Sequence, residues 1–164
     1  MSLVSRAGAL SYGLAVTVVA LDQIVKAWVL GGLRLATGVP RPVWGPLRLT
    51  LVENPGVSFG LFQSEAPWTR WVLAAFSLVV AIALGFWARR AEKPYTGLAL
   101  GLIIGGAVGN FIDRVRTGVV VDFVDVTALY FPWVFNVADS AISIGVVILL
   151  LDQLFTPSPP KPTP

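Results

Sequence analysis

The chain has 164 residues, 55% of them hydrophobic and only 13% charged, with a mean hydropathy of +0.77. A soluble domain carries about a quarter charged residues, so a water-soluble core is excluded and the natural solvent is lipid. The absence of Cys and His excludes disulfide frameworks, thiolate nucleophiles, Ser-His-Asp triads and His- or Cys-based metal sites.

Crossing the hydrocarbon takes about 20 mostly apolar residues in a helix, and four segments qualify: residues 9–30, 71–87, 95–112 and 137–155. The first resembles a signal peptide flanked by Arg6, but no small-residue cleavage site follows it, so it reads as an uncleaved span. In the connection after it, Leu47-Arg48-Leu49-Thr50-Leu51 alternates as a half-buried strand does, and Asn54-Pro55-Gly56 reads as a turn. Arg89-Arg90-Ala91-Glu92-Lys93 separates the second and third spans. Residues 113–135 contain Val119-Val120-Val121 and Tyr130-Phe131-Pro132-Trp133, which reads as a loop at headgroup level, where Tyr and Trp settle. Residues 156–164 form a proline-rich solvated tail. No internal repeat appears, and residues 1–155 make one domain.

Four spans put both termini on one side. The density of basic residues (Arg6, Arg89, Arg90, Lys93 and Lys161 on short segments) favours termini inside, although the raw count favours the other face. The net charge of +3, with no basic run longer than Arg89-Arg90, points to anionic lipid headgroups and away from nucleic acid.

Ionisable residues in or beside spans are costly and usually functional. Asp22 and Lys26 stand in the favourable i,i+4 order and read first as a pair that ends the first span. Asp152 reads as solvated at the inner face, and Asp122 and Asp125 as solvated loop acids. Asp113 and Asp139 differ: the third span runs outward to one and the fourth returns from the other, so topology brings them to one face. Each follows an asparagine at i−3 (Asn110 and Asn136), which shares its helix face. Gly97, Gly101, Gly105 and Gly109 on the third span, and Ala138, Ala141 and Gly145 on the fourth, allow close approach in lipid. Two carboxylates that close share one proton, the arrangement needed for aspartyl proteolysis. On spacing alone the two acids read equally well as interfacial polar caps. A Ser/Lys pair of Lys26 with Ser58 is a weaker alternative, because nothing brings the two together.

The motifs nevertheless occur in a familiar order: Asp22-Gln23-Ile24-Val25-Lys26, Asn54-Pro55-Gly56-Val57-Ser58-Phe59, Gly105 to Arg114, Val121-Asp122-Phe123, and Phe135-Asn136-Val137-Ala138-Asp139-Ser140. The chain resembles the lipoprotein signal peptidases (signal peptidase II), integral-membrane aspartyl peptidases of bacteria. The resemblance covers all but the termini. It implies four transmembrane helices with a small extracytoplasmic β-cradle and a periplasmic loop or helix over the site. It makes Asp113 and Asp139 the expected catalytic dyad. Asn54, Gly56, Asn110, Arg114, Asn136 and Ala138 would line or support the site, with Asp22 and Lys26 as structural support. The implied reaction is cleavage of a prolipoprotein just before its diacylglyceryl-modified cysteine, at the outer face of the cytoplasmic membrane. Neither metal nor organic cofactor is implied, and the cyclic peptide globomycin is the family's inhibitor. Ser58 departs from the family's usual alanine. Trp44, Phe59, Phe62, Phe131 and Trp133 are candidates to guide lipid and peptide. The competing functional reading is a small proton-coupled transporter component that uses the same two acids.

Overall fold

The computed structural model describes residues 4–56 and 68–155. Ser58, Phe59, Phe62 and the tail 156–164 lie outside the described residues. Helix α1 (Arg6–Ala27) is capped by Ser5, whose hydroxyl accepts from the Gly8 N–H, and it runs on into a π-helical turn over Trp28–Gly32. Helices α2 (Thr69–Ala88), α3 (Pro94–Arg116) and α4 (Val137–Phe155) follow. All four are long and apolar enough to cross a membrane. Val16, Phe76 and Ile144 remain more than half exposed, as side chains facing hydrocarbon would be.

Helix α3 is the centre of the bundle. Two thirds of its apolar window is buried in protein, against 28% or less for the other three. The glycine stripe explains how, and corrects the expected partner. A Cβ on Gly97, Gly101 or Gly105 would come within 2.5–2.6 Å of Ala7 O, Ser11 O or Val18 Cβ, all on α1. The stripe therefore seats α3 on α1, not on α4. Contact with α4 uses another face, where a Cβ on Gly106 would strike the Ala138 carbonyl and Gly145 of α4 meets Ala99 O. Backbone-to-backbone approach of this kind supplies the dispersion and packing that hold helices together in lipid. Helix α3 also extends to Arg116, so Asp113 and Arg114 belong to its last turn.

The connections from α1 to α2 and from α3 to α4 join in one antiparallel sheet of order β1-β2-β3-β4: β1 (Arg41–Trp44), β2 (Leu47–Asn54), β3 (Val120–Asp125) and β4 (Val134–Phe135). The alternation at 47–51 is the first half of β2. The valine run is a central strand, not a headgroup loop: β3 pairs with β2 from Arg48↔Asp125 to Asn54↔Val120. β-Branched residues suit such a pleated, buried position. Leu51, Val121 and Phe123 pack with Val29 at the end of α1 into a small core, which ties the sheet to the helix ends. Trp44 stays 81% exposed on the edge strand, and Phe131 and Trp133 stack obliquely with ring centroids 5.5 Å apart. At the other end of the bundle Asp152 is not simply solvated; it accepts from Lys93 Nζ at 3.1 Å and Thr96 Oγ1 at 3.0 Å.

Candidate active site

Where the sheet meets α1, α3 and α4, polar side chains from every layer converge, and most are buried. Asp22 and Asn136 are fully buried, Asp122 is 2% exposed and Lys26 3%. Charges so far from water persist only when paired and hydrogen-bonded, so each one's partners define its role.

Asp113 is the most heavily partnered. Its Oδ2 meets Lys26 Nζ at 2.7 Å and accepts from the Val121 N–H at 3.3 Å, while Oδ1 accepts from Gln23 Nε2 at 2.9 Å. Lys26 in turn lies 2.7 Å from Asp22 Oδ2 and 3.4 Å from Asn110 Oδ1. The i,i+4 pair is thus part of a larger cluster, in which the ammonium ties α1 to α3. Asp22 extends it to α4 by accepting from the Ala138 N–H at 3.0 Å. Ala138 is fully buried where α4 crosses α3. Gln23 was not singled out from the sequence; its place beside Asp22 in the Asp22–Lys26 motif was the available signal.

Asp139 stands in the first turn of α4. Asn136 caps that helix: its Oδ1 accepts from the Asp139 N–H at 2.8 Å, an N-cap bond at i+3. The Asp139 carboxylate receives Asn110 Nδ2 on Oδ1 at 2.8 Å. Its Oδ2 is buried and has no hydrogen-bond partner among the described residues.

Asp122, expected to be a solvated loop acid, lies inside this cluster. Asn136 Nδ2 donates to its Oδ1 at 2.7 Å, and Asn54 Nδ2 to its Oδ2 at 3.0 Å. One asparagine therefore holds both Asp122 and the backbone of Asp139. Burial, reinforced by the Asp139 charge, pushes the Asp122 carboxyl up to about 7, against the amide bonds and the Lys26 charge that pull it down. Asp113, by contrast, is engaged by a buried ammonium. The Asp139 charge acts on Asp122 directly.

Asn54 also accepts from the Gly56 N–H at 3.0 Å, so the turn is real and its asparagine faces the cluster. Arg114, 8% exposed, donates from Nη2 to Gly56 O at 3.0 Å and from Nη1 to Asn110 O at 3.4 Å. It fastens the 54–56 turn to α3 and feels Asp139, Asp113 and Asp122 electrostatically. Asp125, the other supposed loop acid, is also buried, on the far end of β3. Burial alone would push it up, but hydrogen bonds from Thr127 and Thr50 and the Arg48 charge hold it below the usual carboxylate range. It is a strand-end fastening apart from the cluster.

Chemically, the site offers one carboxyl that keeps its proton near neutrality and a second with an oxygen that has no partner among the described residues, both fixed by amides. Paired carboxyls whose environments hold a single proton between them suit general acid–base work on a water molecule.

Comparison with known proteins places these residues in context. The chain matches the family model described as Signal peptidase (SPase) II over residues 14–155. It is 51% identical over 154 residues to the lipoprotein signal peptidase of Caulobacter vibrioides, covering 93% of this chain and 91% of that one. The Brevibacillus brevis lipoprotein signal peptidase is 43% identical over 143 residues, 86% of this chain and 92% of that one. A bacterial membrane enzyme solved by the in meso method at 2.3 Å resolution superposes with a TM-score of 0.77 at 30% identity, covering 98% of this chain and 99% of that one.

Proposed function

Because the chain belongs to the signal peptidase II family and is a multi-pass membrane peptidase by that descent, we propose that it is an aspartyl endopeptidase that removes signal peptides from diacylglyceryl-modified prolipoproteins. The transporter reading finds no support in this relationship. In the proposed mechanism the working pair is Asp122 with Asp139, in place of the expected Asp113 with Asp139. The observation that carries this is the double grip of Asn136, which donates to the Asp122 carboxyl and accepts from the Asp139 N–H.

Asp139 Oδ2, with no partner among the described residues, accepts a proton from water as that water attacks the scissile carbonyl carbon. Asp122, holding its proton near neutrality, hydrogen-bonds the carbonyl oxygen as it becomes tetrahedral. The proton taken by Asp139 then passes to the leaving nitrogen, and the carbon–nitrogen bond breaks. Asn110 and Asn136 hold the carboxyls in register. Asn54, Gly56 and Arg114 keep the loop at the site mouth, while Ala138, Asp22, Lys26 and Asp113 set how the helices meet. None of these steps uses a metal or organic cofactor.

The substrate is itself a membrane helix with acyl chains near the cut, so the pair belongs where lipid meets water. In this reading residues 1–155 form one domain in the bacterial cytoplasmic membrane, with both termini cytoplasmic and the sheet outside. Exposed aromatics such as Trp44 and Phe131 contact lipid, and globomycin competes with the prolipoprotein. The test is cleavage of a lipidated prolipoprotein by purified protein. Asp122→Asn and Asp139→Asn should each abolish it while remaining monodisperse, and a chelator should leave the rate unchanged. Cleavage near the parent rate by either variant would overturn the assignment.

A further inference from the structure

We infer that Lys26 is a positioning residue of this peptidase site: its buried ammonium fixes the direction of the Asn110 carboxamide and, through it, the alignment of the Asp139 carboxylate. The inference rests on the proposed Asp122–Asp139 pair and adds to it the element that keeps the pair aligned.

A carboxamide rotated by half a turn occupies nearly the same space but exchanges a donor for an acceptor. Asn110 uses both ends at the site. Its Nδ2 donates to Asp139 Oδ1 at 2.8 Å, and its Oδ1 accepts from Asn136 Nδ2 at 3.2 Å and faces Lys26 Nζ at 3.4 Å. Turned over, Asn110 would set its NH2 against an ammonium and a second NH2, and its oxygen against a carboxylate. All three contacts would become repulsive, and in a buried site such repulsion is poorly screened.

The other charged and titratable groups of the cluster leave Lys26 little choice of direction. From α1, Asp22 takes one ammonium proton at 2.7 Å; from α3, Asp113 takes a second at 2.7 Å. An ammonium has three protons, and the third points at Asn110. Arg114 of α3 donates to the backbone carbonyls of Asn110 and Gly56. Asp122 of β3 and Asp139 of α4 complete the charged set. Lys26 also acts at a distance, since its charge opposes the burial that keeps Asp122 protonated.

A purely structural ion pair would, when removed, lower stability and leave the chemistry of each folded molecule intact. Positioning makes different demands. In purified Lys26→Met, kcat per folded molecule should fall by about 10- to 100-fold with KM little changed, in the range for loss of alignment at an acid–base group. The alkaline limb of kcat/KM should move to higher pH, because Asp122 loses the charge that pulls it down. Lys26→Arg, which keeps the charge, should recover much of kcat and return the limb. A protonated-carboxyl infrared band, assigned by its loss in Asp122→Asn, should titrate at higher pH in Lys26→Met whether or not substrate is cleaved. That band separates the two readings: if Asp122→Asn cleaves normally, the pair is wrong, whereas an unmoved band and unchanged kcat in folded Lys26→Met overturn the role of Lys26. If Lys26→Met does not fold, Lys26→Met/Asp113→Asn, which keeps the net charge of the cluster, is compared with Asp113→Asn. At least a tenfold further loss of kcat is expected, and equal kcat overturns the inference.

Discussion

Asp113 and Asp122 are both buried acids that approach one cluster from opposite sides, and they are nearly equally hidden from water. Asp113 hangs from α3 into the seam with α1, where an ammonium, a carboxamide and a backbone N–H occupy both its oxygens. Asp122 hangs from β3 toward α4, where two neutral amides hold it and another carboxylate lies near. Burial is common to the two, and the partner's charge is what divides them. A cation beside a buried carboxylate ties elements of the fold together, while a second carboxylate beside one favours retention of a proton.

The comparison breaks most readily at the pair itself. Replacing Asp139 or Asp122 by Asn should lower prolipoprotein cleavage by at least about 10³-fold, the upper range for loss of an acid–base group, measured on monodisperse protein in a discontinuous gel assay. The seam side should fail in another way. Gly105→Leu inserts atoms where even a Cβ would lie 2.6 Å from Val18 Cβ. It should reduce folded yield and lower the unfolding midpoint in detergent by several degrees, an overpacking cost of about 1–3 kcal/mol or more. Asp113→Asn should mainly destabilise, because it leaves Lys26 with Asp22 as its sole carboxylate; cleavage per folded molecule should suffer at least tenfold less than in Asp122→Asn, in line with a role through other groups. Equal losses in the two variants would erase the distinction between them.

The smallest effect is a matter of pH. Asp122 binds its proton more tightly in the folded protein than in the unfolded chain, with a folded value of about 7 against an ordinary 3.8. That contribution to stability is therefore complete below about pH 4 and is lost as pH rises through 7. Thermal unfolding followed from pH 5 to 8 should show a midpoint that falls across this interval from this group, and Asp122→Asn should flatten the slope.

Helix-forming segments and the Leu47–Leu51 alternation were legible because apolar length and period are local properties. The convergence of Asn110, Asn136 and Asp139 was legible as well, since i−3 spacing sets each asparagine beside its acid at a helix end. Asp122 was not read as part of the site. Its strand is recognisable only if Val119-Val120-Val121 is weighed as β-branched, and its burial depends on β2, which lies some seventy residues earlier in the chain. The glycine stripe was legible as a packing face, but a repeat of four names no partner. Whether α1 or α4 fills it is decided by the other faces of α3, notably Gly106 against Ala138.

The central position of α3 bears on how the molecule is made. This helix carries Asn110, Asp113 and Arg114, which an isolated segment would expose to hydrocarbon at considerable expense. Helix α1 emerges earlier and brings the ammonium that neutralises Asp113, but Asp139 and the Asn136 cap arrive only with the last helix. In the proposed mechanism the chain therefore stays inert during synthesis until its final span docks, and a ribosome stalled before Val137 leaves a bundle with the scaffold and only half of the proposed acid pair.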